Sequence, residues 1–75
     1  MKARMPRVTA RQVVRVLEKL TFRLVRQKGS HAIYKNAEGK RVTVPVHFGR
    51  ILHPKVLKSI LNDAGLSTGE FLEML

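Results

Sequence analysis

The chain has 75 residues, no cysteine and a formal net charge of +10, with 15 lysine and arginine residues against 5 acidic ones. This length suits one small domain, the lack of cysteine excludes disulfide bridges and thiolate metal sites, and no apolar run approaches the roughly 18 residues of a membrane-spanning helix. We therefore expect a cytoplasmic protein with no membrane partner, and its charge predicts a polyanionic or acidic partner, nucleic acid above all.

The positive charge is concentrated near the start of the chain. Nine of the fifteen cations lie in residues 1–28, where Glu18 is the only acid. Residues 1–8 are basic and carry no recognisable element. We expect them to form a mobile segment ahead of a single domain over residues 9–75.

A first helix is predicted to begin after Thr9. Thr9 and Gln12 form a capping box, and Val8 and Val13 occupy the positions of a hydrophobic staple. Apolar residues then recur with a helical period. Cations on the opposite side, at i,i+4 spacing, suit either a solvated face or a stripe that faces RNA or a protein partner; these are Arg11, Arg15 and Lys19.

Three short strands follow, predicted over residues 22–27, 31–35 and 40–46. The first two are joined by a turn at residues 28–30, and the last two by a four-residue connection in which Gly39 can adopt a positive φ. Valines alternate with polar residues along the third strand, which predicts one apolar face. Pro45 has no N–H to donate, so this strand should lie at an edge of the sheet or end there.

Two helices are predicted to close the chain. Pro54 suits the first position of a helix that ends at Gly65 in a Schellman motif. Ser67 and Glu70 form a second capping box, which predicts a short terminal helix. The order α-β-β-β-α plus a small helix indicates the α+β class, with two amphipathic helices over the apolar face of an antiparallel sheet.

The candidates for proton transfer are the three histidines, His31, His47 and His53. Their spacing, with no cysteine or nearby carboxylate, does not suggest a metal site, and we expect no cofactor. His53, directly before Pro54, suits a structural helix cap. His47 follows the third strand and either contacts a phosphate or has no function.

His31 has the strongest case because it follows a turn at Gly29-Ser30 whose backbone N–H groups can face an anion. The alternative is a structural histidine at the start of a strand. Alternation places His31 on the same side as Ile33 and Lys35, but the sequence leaves open whether that side faces the core.

Three motifs together resemble the HicA toxin family, small RNA-cleaving members of toxin–antitoxin pairs. They are RQKGSH (26–31), GKRVTVPVH (39–47) and LKSILNDAGLSTGEFLEML (57–75). The resemblance implies a fold similar to a double-stranded-RNA-binding domain, a catalytic role for His31, and a HicB-type antitoxin as partner. The chain departs from the family pattern at Thr21, where glycine is usual, and at residues 53–55, where helix entry differs.

The leading hypothesis is a metal-independent endoribonuclease, an mRNA interferase that cleaves mRNA and thereby inhibits translation. The 2′-OH of RNA supplies the nucleophile, so one histidine acting as acid or base gives a sizeable acceleration. Residues expected to bind RNA around His31 are Lys28, Gly29, Ser30, Lys35, Arg41 and His47. The rival hypotheses are a non-catalytic double-stranded-RNA-binding module and a basic protein whose partner is an acidic protein.

Overall fold

The computed structural model describes residues 5–47 and 49–75. Its elements follow the predicted order: α1 (Ala10–Lys19), β1 (Arg23–Lys28), β2 (His31–Lys35), β3 (Arg41–Pro45), α2 (Pro54–Ala64) and α3 (Thr68–Met74). The strands pair antiparallel in the order β1-β2-β3. The predicted α+β class and α-β-β-β-α layout are confirmed, and each strand boundary lies within one residue of its prediction.

One face of the sheet is covered by the helices and forms the core. Ala32 and Tyr34 of β2 and Val42 and Val44 of β3 point to this side and are buried. The helices cover them with buried apolar residues at helical spacing: Val13, Val16 and Leu17 from α1, and Leu57, Ile60, Leu61 and Ala64 from α2. Every residue of β1 is exposed. The core therefore lies over β2 and β3.

Both predicted capping boxes are present. Thr9 Oγ1 accepts from the Gln12 N–H at 3.3 Å, and Gln12 Oε1 accepts from the Thr9 N–H at 2.9 Å. Ser67 and Glu70 make the same reciprocal pair. Hydrogen bonds from Ser67 lower the pKa of the Glu70 carboxyl, backbone first. This cap therefore contributes stability at neutral pH and loses it as the pH falls through that lowered pKa.

Helices α1 and α2 both end in a Schellman motif, in which one residue after the helix has a left-handed backbone conformation. The type of this residue differs between the two helices. At the end of α2, Gly65 has φ +75°, and the Leu66 N–H donates to Leu61 O at 2.9 Å. At the end of α1, the Phe22 N–H donates to Leu17 O, also at 2.9 Å, and the left-handed residue is Thr21 with φ +65°. Among the described residues, Thr21 is the one non-glycine residue with a positive φ.

Replacing Thr21 with glycine is expected to stabilise the protein. A β-branched residue in the left-handed region is strained by about 1–2 kcal/mol, and the greater freedom of glycine in the unfolded chain offsets about half of the gain. The net gain of about 0.5–1 kcal/mol should raise the melting temperature by about 3–6 °C.

The matched control is Gly65→Ala, at the equivalent position of α2. It should lower the melting temperature, since an added Cβ would be strained at φ +75° and would approach Lys40 Nζ to 2.6 Å. Differential scanning calorimetry of both variants would measure the two shifts. A lower melting temperature for Thr21→Gly would show that the threonine side chain stabilises this turn.

The packed part of the chain begins before Thr9. Val8 is buried, and its carbonyl accepts from the Leu52 N–H at 2.8 Å. Met5 packs against the core. Residues 1–4, half of the segment predicted to be mobile, lie outside the described residues. Within the described ranges, no helix has the length and apolar character needed to cross a bilayer.

Helix α3 is joined to the core by one aromatic side chain. Phe71 is 1% exposed and is among the largest fully buried residues. A hydrogen bond from Lys19 Nζ to Met74 O at 2.8 Å connects the last turn of α1 to the end of α3. The short terminal helix is thus part of the packed domain.

Candidate nucleic-acid interface

The side of the sheet away from the helices, here called the open face, follows from the strand register. Residues paired across antiparallel strands point to the same side. Because Ala32 and Tyr34 are buried against the helices, the alternate residues of β2 and their partners form the open face. These are Arg23, Arg26 and Lys28 from β1, His31, Ile33 and Lys35 from β2, and Arg41, Thr43 and Pro45 from β3.

His31 begins the central strand of the open face and is exposed. It pairs with Lys28 on one side and with Pro45 on the other. The open question about its orientation is therefore resolved: His31 points away from the core. Its side chain makes no hydrogen bond or ion pair to another described residue, so it contributes little to packing and is accessible to a bound molecule.

A row of three cations crosses the far end of the open face. Arg23 pairs with Lys35, and Lys35 pairs with Arg41. Like charges directly opposite one another destabilise a sheet by about 0.2–1 kcal/mol per pair. None of the residues in the three strands is acidic, and the acid nearest to this row along the chain is Glu38, in the connection between β2 and β3. Such a row is typical of a surface that binds an anion.

The centre of the open face is a shallow depression of about 270 Å³. Its lining combines three cations with two apolar side chains: Arg26, Lys35 and Arg41 with Val25 and Ile33. Val25 reaches this side because the register shifts between Leu24 and Arg26, as in a β-bulge. The depression suits a polyanion whose phosphates lie against the cations.

The turn before His31 has two residues, Gly29 and Ser30. Gly29 has φ +58° and is the first residue of the turn, as in a type II′ hairpin. Ser30 O accepts from the Val46 N–H at 2.7 Å, which continues the pairing of β2 and β3 past Pro45. The prediction that β3 lies at an edge and ends near Pro45 is confirmed.

The other two histidines differ in their surroundings. His53 is the N-cap of α2, and its Nδ1 accepts from the Lys55 N–H at 3.1 Å, so the predicted structural cap is confirmed. His47 is exposed, and its side chain bonds to none of the described residues. Its N–H donates to Pro45 O at 3.2 Å, which keeps His47 next to the residue that faces His31.

The cationic stripe of α1 has a partly structural role. Lys19 hydrogen-bonds to Met74 O, and Arg11 also has an interaction with its surroundings. Burial raises the pKa of the Tyr34 phenol above 10.0, and the nearby carboxylate of Glu18 raises it further. Lys19, at the end of the stripe, thus also connects α1 to α3.

No group of three or more histidine, cysteine or acidic residues that could hold a metal ion occurs in residues 5–47 and 49–75. A larger depression, of about 470 Å³, lies away from the open face, between Met5, α2 and the start of α3. The described residues that line it include none of the predicted site residues, and Lys58 is the one charged residue among them.

The structure brings most of the predicted site residues together. Lys28, His31, Lys35 and Arg41 share the open face, the Gly29-Ser30 turn closes one end of it, and His47 follows its last strand. Sequence reasoning missed Arg23 and Arg26 as members of this site. The signal for Arg26 was its position two residues before Lys28, which places it on the same side of a regular strand.

Comparison with protein-family models gives a match over most of the chain. A family model described as HicA toxin of bacterial toxin–antitoxin matches residues 10–66, from the first residue of α1 to just beyond the end of α2. The matched range includes every predicted site residue. A search of curated proteins found no match.

Proposed function

Because the chain belongs to the HicA toxin family of bacterial toxin–antitoxin systems, we propose that it is an endoribonuclease that cleaves mRNA through His31. Family membership makes it a toxin with an antitoxin partner. A HicB-type antitoxin is the proposed inhibitor, and the cytoplasm, where mRNA is translated, is the proposed location. The observation that supports the nuclease function is an exposed histidine on a sheet face with five cations and no acid.

The proposed reaction uses the nucleophile that RNA itself carries. The 2′-oxygen attacks the adjacent phosphorus, a bond from O2′ to phosphorus forms, and the bond from phosphorus to O5′ breaks. The products are a 2′,3′-cyclic phosphate and a 5′-hydroxyl, and no water, metal or cofactor enters the step. His31 transfers a proton, which contributes about 10²–10⁴-fold to the rate. Lys28, directly opposite His31, is placed to stabilise the charge on the phosphate.

Binding on the open face is proposed to depend on phosphates. Three aromatic residues of the described ranges are buried in the core: Phe22, Tyr34 and Phe71. Apart from the imidazole of His31, the strands therefore present cations and no aromatic ring on the open face, unlike sheets that read single-stranded RNA by base stacking. RNA affinity should consequently fall steeply with salt and vary little with sequence.

The antitoxin is proposed to inhibit by covering the same face. A contact surface rich in aspartate and glutamate would complement Lys28, Lys35 and Arg41 and would speed the encounter. It must also cover His31, because blocking only the surrounding cations would leave some cleavage.

Cleavage of RNA in the absence of divalent metal is the expected result that tests this function. The purified protein would be incubated with end-labelled single-stranded RNA and EDTA, and the product ends would be identified. We expect 2′,3′-cyclic phosphate and 5′-hydroxyl ends, and no cleavage once a HicB-type antitoxin is added. Binding without cleavage, with or without added Mg²⁺, would instead favour the non-catalytic double-stranded-RNA-binding module.

Lys35→Thr is expected to change stability and RNA binding in opposite directions. It removes the central charge of the Arg23–Lys35–Arg41 row and introduces a residue that favours strands, so the free energy of unfolding should rise by about 0.2–1 kcal/mol. Loss of one phosphate contact should reduce the slope of log affinity against log salt by about 1.

Denaturant titration and RNA binding at several salt concentrations would measure both effects of Lys35→Thr. Lys58→Thr, on α2 and outside the open face, is the control that removes an equal charge. If both variants lowered the salt slope equally, RNA binding would not be localised on the open face.

A further inference from the structure

Two proton transfers accompany the cleavage proposed above, yet the open face carries one histidine. One group must take the proton of the 2′-OH, and another must protonate the departing O5′. We propose that His47 is the second catalytic residue, transferring the proton that His31 does not. This inference rests on the proposed nuclease function and adds a residue to it.

The backbone holds His47 close to His31. His31 pairs directly with Pro45, and across such a pair the Cα atoms lie about 4.5–5.5 Å apart. The next backbone bond, from the Val46 N–H to Ser30 O, is 2.7 Å long, so the two chains are still joined one residue further on.

The chain then bends instead of leaving the sheet. The His47 N–H donates to Pro45 O at 3.2 Å, an i to i+2 bond of the kind that forms a γ-turn. The Arg50 N–H donates to His47 O at 3.1 Å, so both backbone groups of His47 are held. The Cα atoms of His31 and His47 are therefore within about 12 Å, a distance that two imidazoles can span with a phosphodiester between them.

Lys28, directly opposite His31, already has the charge-stabilising role proposed above, and the acidic residues and His53 are too far from His31 or already engaged. Glu38 lies in the connection between β2 and β3, at the opposite end of the strand from His31 and about 13 Å or more along it. Glu18 belongs to α1, near Tyr34 on the covered side of the sheet. The remaining acids lie on α2 and α3, and His53 is occupied as a helix cap. Histidine is the side-chain type best suited to proton transfer near neutral pH, and His47 is the remaining histidine.

The step balances with these two residues. One imidazole accepts the proton from O2′ as the bond from O2′ to phosphorus forms, and the other, as imidazolium, donates its proton to O5′ as the bond from phosphorus to O5′ breaks. The pair ends with its protonation exchanged, and solvent restores it. Both side chains are exposed, so water reaches them between turnovers.

The test compares two substrates that differ at one atom. In the second RNA, sulfur replaces the bridging 5′-oxygen at the cleavage site, so the leaving thiolate needs no proton. With the ordinary RNA, His47→Ala and His31→Ala should each reduce kcat/KM by about 100-fold or more. With the sulfur RNA, we expect the variant that lacks the proton donor to recover to near the parental rate, while the other stays slow.

The pH dependence provides an independent readout. The parental profile of kcat/KM should be bell-shaped, and each alanine variant should lose the opposite limb. His47→Gln, which can still hydrogen-bond to a phosphate but cannot titrate, should be as slow as His47→Ala. His53→Ala is the control: it removes a histidine and a helix cap, so it should lower the melting temperature and leave the pH profile unchanged.

Three results would overturn the inference: parental activity in His47→Gln, a bell-shaped profile retained in His47→Ala, or equal defects of both alanine variants on both RNAs. Misfolding of the His47 variants is not expected, since His47 contributes only backbone bonds to the turn. If the parental protein cleaves neither RNA, the proposed nuclease function itself fails. Cleavage by the parent with no distinction between the variants contradicts only the role of His47.

Discussion

Replacing His31 with alanine is expected to reduce RNA cleavage by about 10²–10⁴-fold while the melting temperature stays at the parental value. Cleavage should fall without a change in stability because of the position of the His31 side chain. His31 is exposed at the first position of β2, points away from the core, and makes no hydrogen bond to another described residue. Its removal should therefore affect proton transfer and leave packing intact.

RNA binding should survive in the His31→Ala variant. Affinity for a polyanion depends on the number of phosphates neutralised, and the five cations of the open face are unchanged. Cleavage, binding and thermal melting would be measured on the same preparation. Parental cleavage by this variant would refute the catalytic assignment, and loss of folding would favour a structural role for His31.

Replacing Phe71 with alanine should have the largest effect on stability. Removing a fully buried phenylalanine costs about 3–5 kcal/mol, and a domain of this size has little more than that in total. Phe71 is 1% exposed and provides the buried contact of α3. We therefore expect the variant to be largely unfolded at room temperature, as measured by circular dichroism and urea titration.

Leu72→Ala is the matched control on the same helix. Leu72 is 41% exposed, so its truncation should change the free energy of unfolding by no more than about 0.5 kcal/mol. The comparison also bears on the domain boundary, because the family match ends at residue 66, before α3 begins. If Phe71→Ala melted with the parent, α3 would not belong to the cooperative core.

The helix ends could be predicted from sequence because each depends on residues a few positions apart. The capping pairs of Thr9 with Gln12 and of Ser67 with Glu70 are local hydrogen bonds, and both form as expected. The end of α2 at Gly65 follows from the conformational freedom of glycine. The end of α1 did not carry that signal, because Thr21 adopts a conformation that its side chain disfavours.

The composition of the open face could not be predicted in full because of one extra residue in β1. In a regular hairpin closed at Lys28 and His31, Leu24 would share their side and Arg23 would point to the other. The register shift near Val25 reverses this, so Arg23 joins Lys35 and Leu24 turns toward the covered side. A bulge is determined by the packing of the whole sheet, and the residues here carry no local signal for it.

The orientation of His31 also required the structure. Alternation in β2 relates His31 to Ile33 and separates both from Tyr34, but either set contains residues suited to a core. The helices cover the side of Ala32 and Tyr34, where the valines of β3 also lie. That choice depends on the pairing of β2 with β3, which brings together residues far apart in the sequence.

Strand β1 is an edge strand with every residue exposed, including two apolar ones, Leu24 and Val25. An edge of this kind is a template on which identical chains can stack into continuing sheets. Here a second copy, approaching in either direction, would bring its own Arg23, Arg26 and Lys28 against the same three cations, and the bulge interrupts the straight backbone that stacking requires. The charges that hold RNA in the proposed function thus also protect the chain from aggregation. Variants that neutralise them to weaken RNA binding should therefore be handled at low protein concentration.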